Sequence, residues 1–254
     1  MNILVLIKAV PNTSGGYEDN GQKSNFLIAN PADLTALEEA LKLRDQCGAQ
    51  VTVATMGVPS CESILKQALA CGADRAVLVT DPAFAGSDTA ATSRILSKMV
   101  LTLGGFDLIF CGRRSTDGET GQVGPEIASR LGWNCVTSCT HLEYEENNLR
   151  CHCINELAEV QYGLELPTVI SFCNGINSPR LASLSGLFRA TRTQITVLDR
   201  HALGLDVSEC GQVGSPTIVM KSYRRPFTKR IAKFCSASEG VEHILQALKE
   251  VHYE

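Results

Sequence analysis

The sequence predicts an α/β protein: a doubly wound, mostly parallel sheet with an added β-hairpin region and a C-terminal arm. Three observations predict it. Short apolar runs alternate with segments of helical period as far as Cys135. Beyond that point the runs alternate residue by residue. After about Val197 core-building residues thin out.

Taken in order, Asn2 to Lys8 is a continuous apolar run, the mark of a strand covered on both faces. Asn30-Pro31-Ala32-Asp33 then opens a helix from Leu34 to Gln46, with leucines and alanines at helical spacing. Asp33 is the expected N-cap, and Glu38 and Glu39 lie early, where the helix dipole favours negative charge. Gly48 stops the helix. Val51 to Met56 is a second strand, Ser60 to Ala70 a helix closed by Gly72, and Arg75 to Thr80 a third strand. Ser87 or Asp88 caps a helix reaching about Leu103. Phe106 to Cys111 is the fourth strand, Gly112 to Thr120 a polar loop, and Gly121 to Leu131 a helix. Strands separated by helices require a parallel sheet with helices on both faces.

His141 to Glu145 and Leu149 to Ile154 flank Glu146-Asn147-Asn148, a hairpin signal, and the alternation continues to Gly163. Pro167 to Phe172 is a further apolar run, and Glu239 to Val251 a last helix. We expect residues 1–194 to form the α/β domain and residues 195–254 an arm that packs on a partner.

Composition bounds the function. The chain has 254 residues, 44% hydrophobic and 20% charged, which suits a folded core rather than a disordered chain. A net charge of −4 disfavours a broad nucleic-acid surface, although Arg224, Arg225, Lys229, Arg230 and Lys233 form one basic run. No stretch approaches the ~18 apolar residues of a membrane span. Ile3 to Ile7 is too short for a signal-peptide core, so the expected compartment is the cytoplasm. The 11 cysteines are odd in number and contain no CxxC pair, so reduced structural thiols are expected. Cys151-His152-Cys153 is expected to point its thiols to opposite sides of a strand. None of the five histidines falls at a strand end beside a Ser or Cys nucleophile, which speaks against a hydrolytic triad.

Ligands of doubly wound sheets bind beyond the carboxyl ends of the strands, where strand order reverses. Here those ends lead to Lys8-Ala9-Val10-Pro11, to Met56-Gly57-Val58-Pro59, to the stretch from Asp81 to Asp88, and to the loop from Gly112 to Gln122. That last loop reads Gly112, Arg113, Arg114, Ser115, Thr116, Asp117, Gly118, Glu119, Thr120, Gly121, Gln122 and feeds a helix N-terminus, a setting for phosphate. Asp117 and Glu119 argue against a bare phosphate cradle and suit sugar hydroxyls or caps. A solvated loop with a capped helix is the plainer alternative. Neither GxxxxGK[ST] nor GxGxxG is present.

The chain resembles the β subunits of electron-transfer flavoproteins along nearly its whole length. The resemblance rests on Asn30-Pro31-Ala32-Asp33 with Ala36 to Ala40, on Ala68 to Ala76, on Phe84 to Ser93, on Cys111-Gly112-Arg113, and most sharply on Asp117 to Glu126. Leu166 to Val169, Ser178-Pro179-Arg180 and Gly214 to Thr217 complete it. It implies an α-subunit partner carrying an FAD, and a second adenine nucleotide, FAD or alternatively AMP, in this chain. Leu6, Ala9, Asn30, Pro31, Ala32, Asp33, Met56, Asp88, Thr89 and Gly112 to Gln122 are the implied pocket. Leu184 is the implied anchor for an acyl-CoA or other dehydrogenase. The stretches Phe84 to Ser93 and Asp117 to Glu126 are closer to the branch with two FAD groups, which bifurcates electrons from NADH and implies ferredoxin as a further acceptor. A nucleotide-binding regulatory protein of similar fold, without flavin, is the alternative from another class.

Overall fold

The computed structural model describes residues 1–12, 26–146, 148–154, 158–217, 220–221 and 235–250. The basic run from Arg224 to Lys233 and His252 lie outside the described residues. Two compact units emerge, Met1–Ile218 and Val219–Glu254.

In the first unit the strands in chain order are β1 (Asn2–Leu6), β2 (Ala9–Pro11), β3 (Leu27–Ala29), β4 (Gln50–Met56), β5 (Arg75–Val79), β6 (Leu108–Gly112), β7 (Asn134–Glu145), β8 (Asn148–Ile154), β9 (Glu159–Gly163), β10 (Thr168–Phe172) and β11 (Thr196–Leu198). The main sheet runs β11-β5-β4-β1-β6-β10-β7-β8-β9, and β2 pairs separately with β3. Pairing is parallel from β11 through β7 and antiparallel from β7 to β9. The winding reverses at β1, which lies between β4 and β6.

The helices are α1 (Pro31–Cys47), α2 (Glu62–Cys71), α3 (Thr89–Leu103), α4 (Val123–Leu131) and α5 (Leu184–Arg192). The β1 run is apolar throughout because both of its faces are covered. Ile3 and Val5 pack with α1 and α2 residues such as Leu41 and Leu65. Leu4 and Leu6 pack with α3 and α4 residues such as Ile95 and Ile127. That alternation is the two-residue period of a strand read against two helical layers.

Several local expectations are corrected. α1 starts at Pro31 with Asn30 at the N-cap position, not with Asp33. Proline's fixed φ suits the first helical position, which moves the start upstream. Asp33 thus falls in the first turn, and its side chain is buried. Cys151 and Cys153 share a face, with Sγ atoms 3.6 Å apart, because residues two apart on a strand point the same way. Cys139 and Cys151 bring their sulfurs together across β7 and β8. The segment after Val197 also supplies core: β11 pairs with β5, and Leu198, Leu203, Leu205 and Cys210 are buried.

In the second unit the described part is chiefly α6 (Ala237–Glu250), on which Val241, Ile244, Leu245 and Leu248 are exposed. No helix among the described residues is long and apolar enough to cross a membrane.

Candidate functional site

The reversal at β1 opens a cavity of about 790 Å³ beyond the carboxyl ends of β1, β4, β5 and β6. Its apolar side includes Leu6, Met56, Phe84 and Leu96, and its polar side is the Gly112 to Gln122 loop with Asn30, Asp33 and the turn before α3. The size lies in the upper part of the ~300–1,000 Å³ range of ligand pockets.

The Asn30 to Asp33 turn brackets the two central strand ends. Asp33 Oδ2 accepts the Lys8 backbone N–H and Oδ1 accepts that of Gly112, both at 2.8 Å. Burial pushes the Asp33 carboxyl up to about 6, against the pull of these N–H donors and Lys8. Gly112 must be glycine: a Cβ there would fall 2.5 Å from Asp33 Oδ1. Asn30 donates its Nδ2 to the Arg114 carbonyl at 3.1 Å and accepts the Thr116 N–H on Oδ1 at 3.3 Å. One buried side chain thus fixes both flanks of Ser115.

Farther along the loop, Lys8 Nζ donates to Asp117 Oδ1 at 2.8 Å and to Ser115 Oγ at 3.4 Å. Asp117 Oδ1 also accepts the Gly118 N–H at 2.8 Å. Partial burial raises the Asp117 carboxyl, but the Lys8 and Ser115 hydrogen bonds outweigh it and hold the group below its ordinary range. Glu119 takes a left-handed φ of 53°, and Gly121 one of 65°. The chain then enters α4 with no side-chain cap among the described residues. No described group accepts the Val123 or Gly124 N–H. Unpaired donors at a helix start, beside an apolar wall, can receive an anionic group next to an apolar one.

The second polar wall is the turn from Gly86 to Thr89. Asp88 caps α3, accepting the Ala91 N–H on Oδ1 at 2.9 Å. Its Oδ2 accepts the Thr217 N–H at 2.9 Å, and its own N–H donates to Ser215 Oγ at 2.9 Å. Burial raises this carboxyl, and the Ala91 and Thr217 donors outweigh that and lower it. Thr89 Oγ1 lies 3.0 Å from Glu126 Oε1, linking the starts of α3 and α4.

The cavity brings together Leu6, Asn30, Asp33, Met56, Asp88, Thr89, Gly112, Arg113, Arg114, Ser115, Gly118, Thr120, Gly121 and Gln122. Ala9, Pro31, Ala32, Thr116, Asp117 and Glu119 do not line it. Sequence reasoning missed Lys8 and Val58 as cavity residues, although both follow strand ends. Among the described residues no group of His, Cys, Asp and Glu is placed to hold a metal.

Leu184 lies elsewhere, as the first residue of α5 rather than in a loop, and is 78% exposed. Ser183 caps that helix through the Gly186 N–H at 3.0 Å. Gly186 packs directly on the Ala70 carbonyl, and Arg189 donates to the Leu69 carbonyl at 2.9 Å. α5 is thereby fastened to the C-terminal end of α2, with Leu181, Leu184 and Phe188 facing outward.

Fold and cavity define a doubly wound α/β protein with a binding site at its switch point. The electron transfer flavoprotein domain matches residues 23–202, and the chain belongs to that family, among its β subunits, which serve electron transfer. It is 38% identical over 260 residues to the electron transfer flavoprotein subunit beta of Thermoanaerobacterium thermosaccharolyticum, covering 99% of each chain. It is 44% identical over 228 residues to protein FixA of Azotobacter vinelandii, covering 87% of this chain and 81% of that one. It is also 36% identical over 266 residues to the acryloyl-CoA reductase electron transfer subunit gamma of Anaerotignum propionicum, covering 99% of each.

Proposed function

We propose that this chain works as the β subunit of a cytoplasmic heterodimer with an α subunit, and that its switch-point cavity holds FAD rather than AMP. The observation that carries the choice is that two polar walls, Gly112 to Gln122 and Gly86 to Thr89, face one cavity of about 790 Å³. A mononucleotide needs an adenine slot and one phosphate site, and would leave the second wall to water.

In this reading the Val123 and Gly124 N–H groups and Lys8 hold phosphate, while Met56, Phe84 and Leu96 exclude water from a ring. Thr89 and Gln122 offer hydrogen bonds to a ribityl chain. Asp88 contributes as the cap that fixes the wall, since both its oxygens already have donors. A bound flavin supplies the capacity to take a hydride and to pass electrons singly. The chain's own residues bind and orient it. The exposed face of α6 suits burial against the α subunit, because covering each of its four apolar side chains contributes about 2 kcal/mol. The name of the acryloyl-CoA reductase relative supports a partner acting on an acyl-CoA. NADH as donor and ferredoxin as second acceptor belong to the same proposal, on the resemblance of Phe84 to Ser93 and Asp117 to Glu126 to the branch with two FAD groups.

Cofactor analysis of the purified αβ complex tests this. Two FAD per heterodimer is the expected result. One FAD with one AMP would overturn the choice of FAD, and a β subunit carrying no nucleotide would overturn the site.

A further inference from the structure

We propose that Ser215 and Arg94 are positioning residues: they hold the second polar wall, Gly86 to Thr89, in the shape a dinucleotide needs, and so favour FAD over AMP. The inference rests on the nucleotide reading of the cavity. The stretch from Leu198 to Thr217 is bonded along the loop that follows β5, yet none of its residues lines the cavity. The Thr80 N–H donates to the Leu198 carbonyl at 2.9 Å, and the Arg200 N–H to Asp81 Oδ2 at 3.1 Å. The Gln212 N–H donates to the Ala85 carbonyl and the Gly211 N–H to Ser87 Oγ, both at 3.1 Å. Gly211 lies so close to the Ala83 and Ala85 carbonyls that a Cβ would strike both.

Ser215 joins this stretch to the wall itself. It is 7% exposed. Its oxygen accepts the Asp88 N–H at 2.9 Å, and its one proton goes to the Gly211 carbonyl at 2.6 Å. Arg94, on α3, donates its Nη1 to the Glu209 carbonyl at 2.8 Å and to that of Gly214 at 3.4 Å, gripping the stretch just ahead of Ser215. Neither residue lines the cavity, so each acts on a ligand only through the wall. A wall already held in place costs an incoming ligand nothing to order, whereas a loosened one must be ordered on binding. Only the dinucleotide uses both walls in this reading; AMP leaves Gly86 to Thr89 to water. Loosening that wall therefore penalises FAD and spares AMP.

Ser215→Ala is the direct test, because it removes the hydroxyl without changing any charge. Affinities of FAD and AMP are measured on the nucleotide-depleted αβ complex. In the variant FAD is expected to bind about fivefold more weakly, the scale of a side chain that must be ordered on binding, while AMP stays within twofold. Amide exchange across Asp81 to Asp88 is expected to quicken. Arg94→Met is expected to act in the same direction, and decides the matter if Ser215→Ala does not fold. Arg180→Ala is the control for lost stability alone, since the partners of Arg180 lie on α1, and it should leave the FAD-to-AMP ratio unchanged. Equal weakening of both nucleotides, an unchanged ratio or unchanged exchange in the Ser215 and Arg94 variants, or the same shift in Arg180→Ala, would overturn the proposal. An unmodified complex that binds no FAD would instead overturn the reading on which it rests.

Discussion

The Asp33 carboxylate accepts the Gly112 backbone N–H at 2.8 Å, tying the first turn of α1 to the last residue of β6. A second oxygen of the same group holds Lys8, two residues beyond the end of β1. The strands on which the winding reverses are therefore clamped by one buried group.

That clamp should be visible in the pH dependence of stability. The Asp33 carboxyl moves from 3.8 to about 6 on folding. A carboxyl that is harder to ionise in the fold favours the folded state where it is protonated. Its contribution is complete below pH 3.8 and is lost as pH rises through 6, roughly 3 kcal/mol in all. Asp33→Asn should flatten the slope between pH 4 and 6, and should cost about 1–2 kcal/mol by leaving one N–H without an acceptor. Denaturant midpoints across that range decide it. An unchanged slope would show that Asp33 does not titrate there.

Gly118→Val should empty the nucleotide site without unfolding the chain. A Cβ at Gly118 meets nothing closer than Ser115 Oγ at 3.7 Å, so the fold has room. The added branches project at the cavity wall, where phosphates would approach the backbone. We expect an unchanged melting temperature and loss of one nucleotide per heterodimer. Retained nucleotide would place the phosphates away from this loop.

Leu184→Ala should slow electron delivery to or from the partner dehydrogenase by about tenfold or more, the scale of an apolar hot spot. Bound nucleotide should stay constant, since Leu184 is on the outer face of α5. Reduction kinetics alongside cofactor content measure both. Unchanged rates would remove Leu184 from the docking surface.

Arg180→Ala should be the most destabilising of these changes, by about 3 kcal/mol, because it strips a buried carboxylate of its partner. Arg180 meets Glu38 at 2.9 Å and Asp45 at 2.8 Å, and its own backbone N–H donates to Glu38 at 2.9 Å. Thermal unfolding reads the loss. Glu38→Gln should cost less, since the amide keeps a hydrogen bond and buries no charge.

The parallel core was legible because its strands are apolar on both faces and its helices keep their period. The hairpin was legible because Leu149, Cys151 and Cys153 alternate with exposed residues. α5 was not, since Leu184, Leu187 and Phe188 present an apolar face outward, and only Gly186 and Ala190 are buried. Lys8 was named at the strand end but left out of the implied pocket, because a lysine following an apolar strand looks like its solvated end. Its partner Asp117 is more than a hundred residues away. Asp33 was misread as a cap because the same residue type serves both purposes, and only the fold shows Gly112 beside it.

The lacing of Asp88 to Ser215 and Thr217 gives that wall of the cavity a tether. Gln212 donates to the Ala85 carbonyl at 3.1 Å and Gly211 to Ser87 Oγ at 3.1 Å, so four stitches run along one short seam. Ile218, the next residue, ends the first unit. A pull on Thr217 therefore arrives directly at Asp88, the cap of α3. A force on that one residue is thus a force on the rim of the cavity.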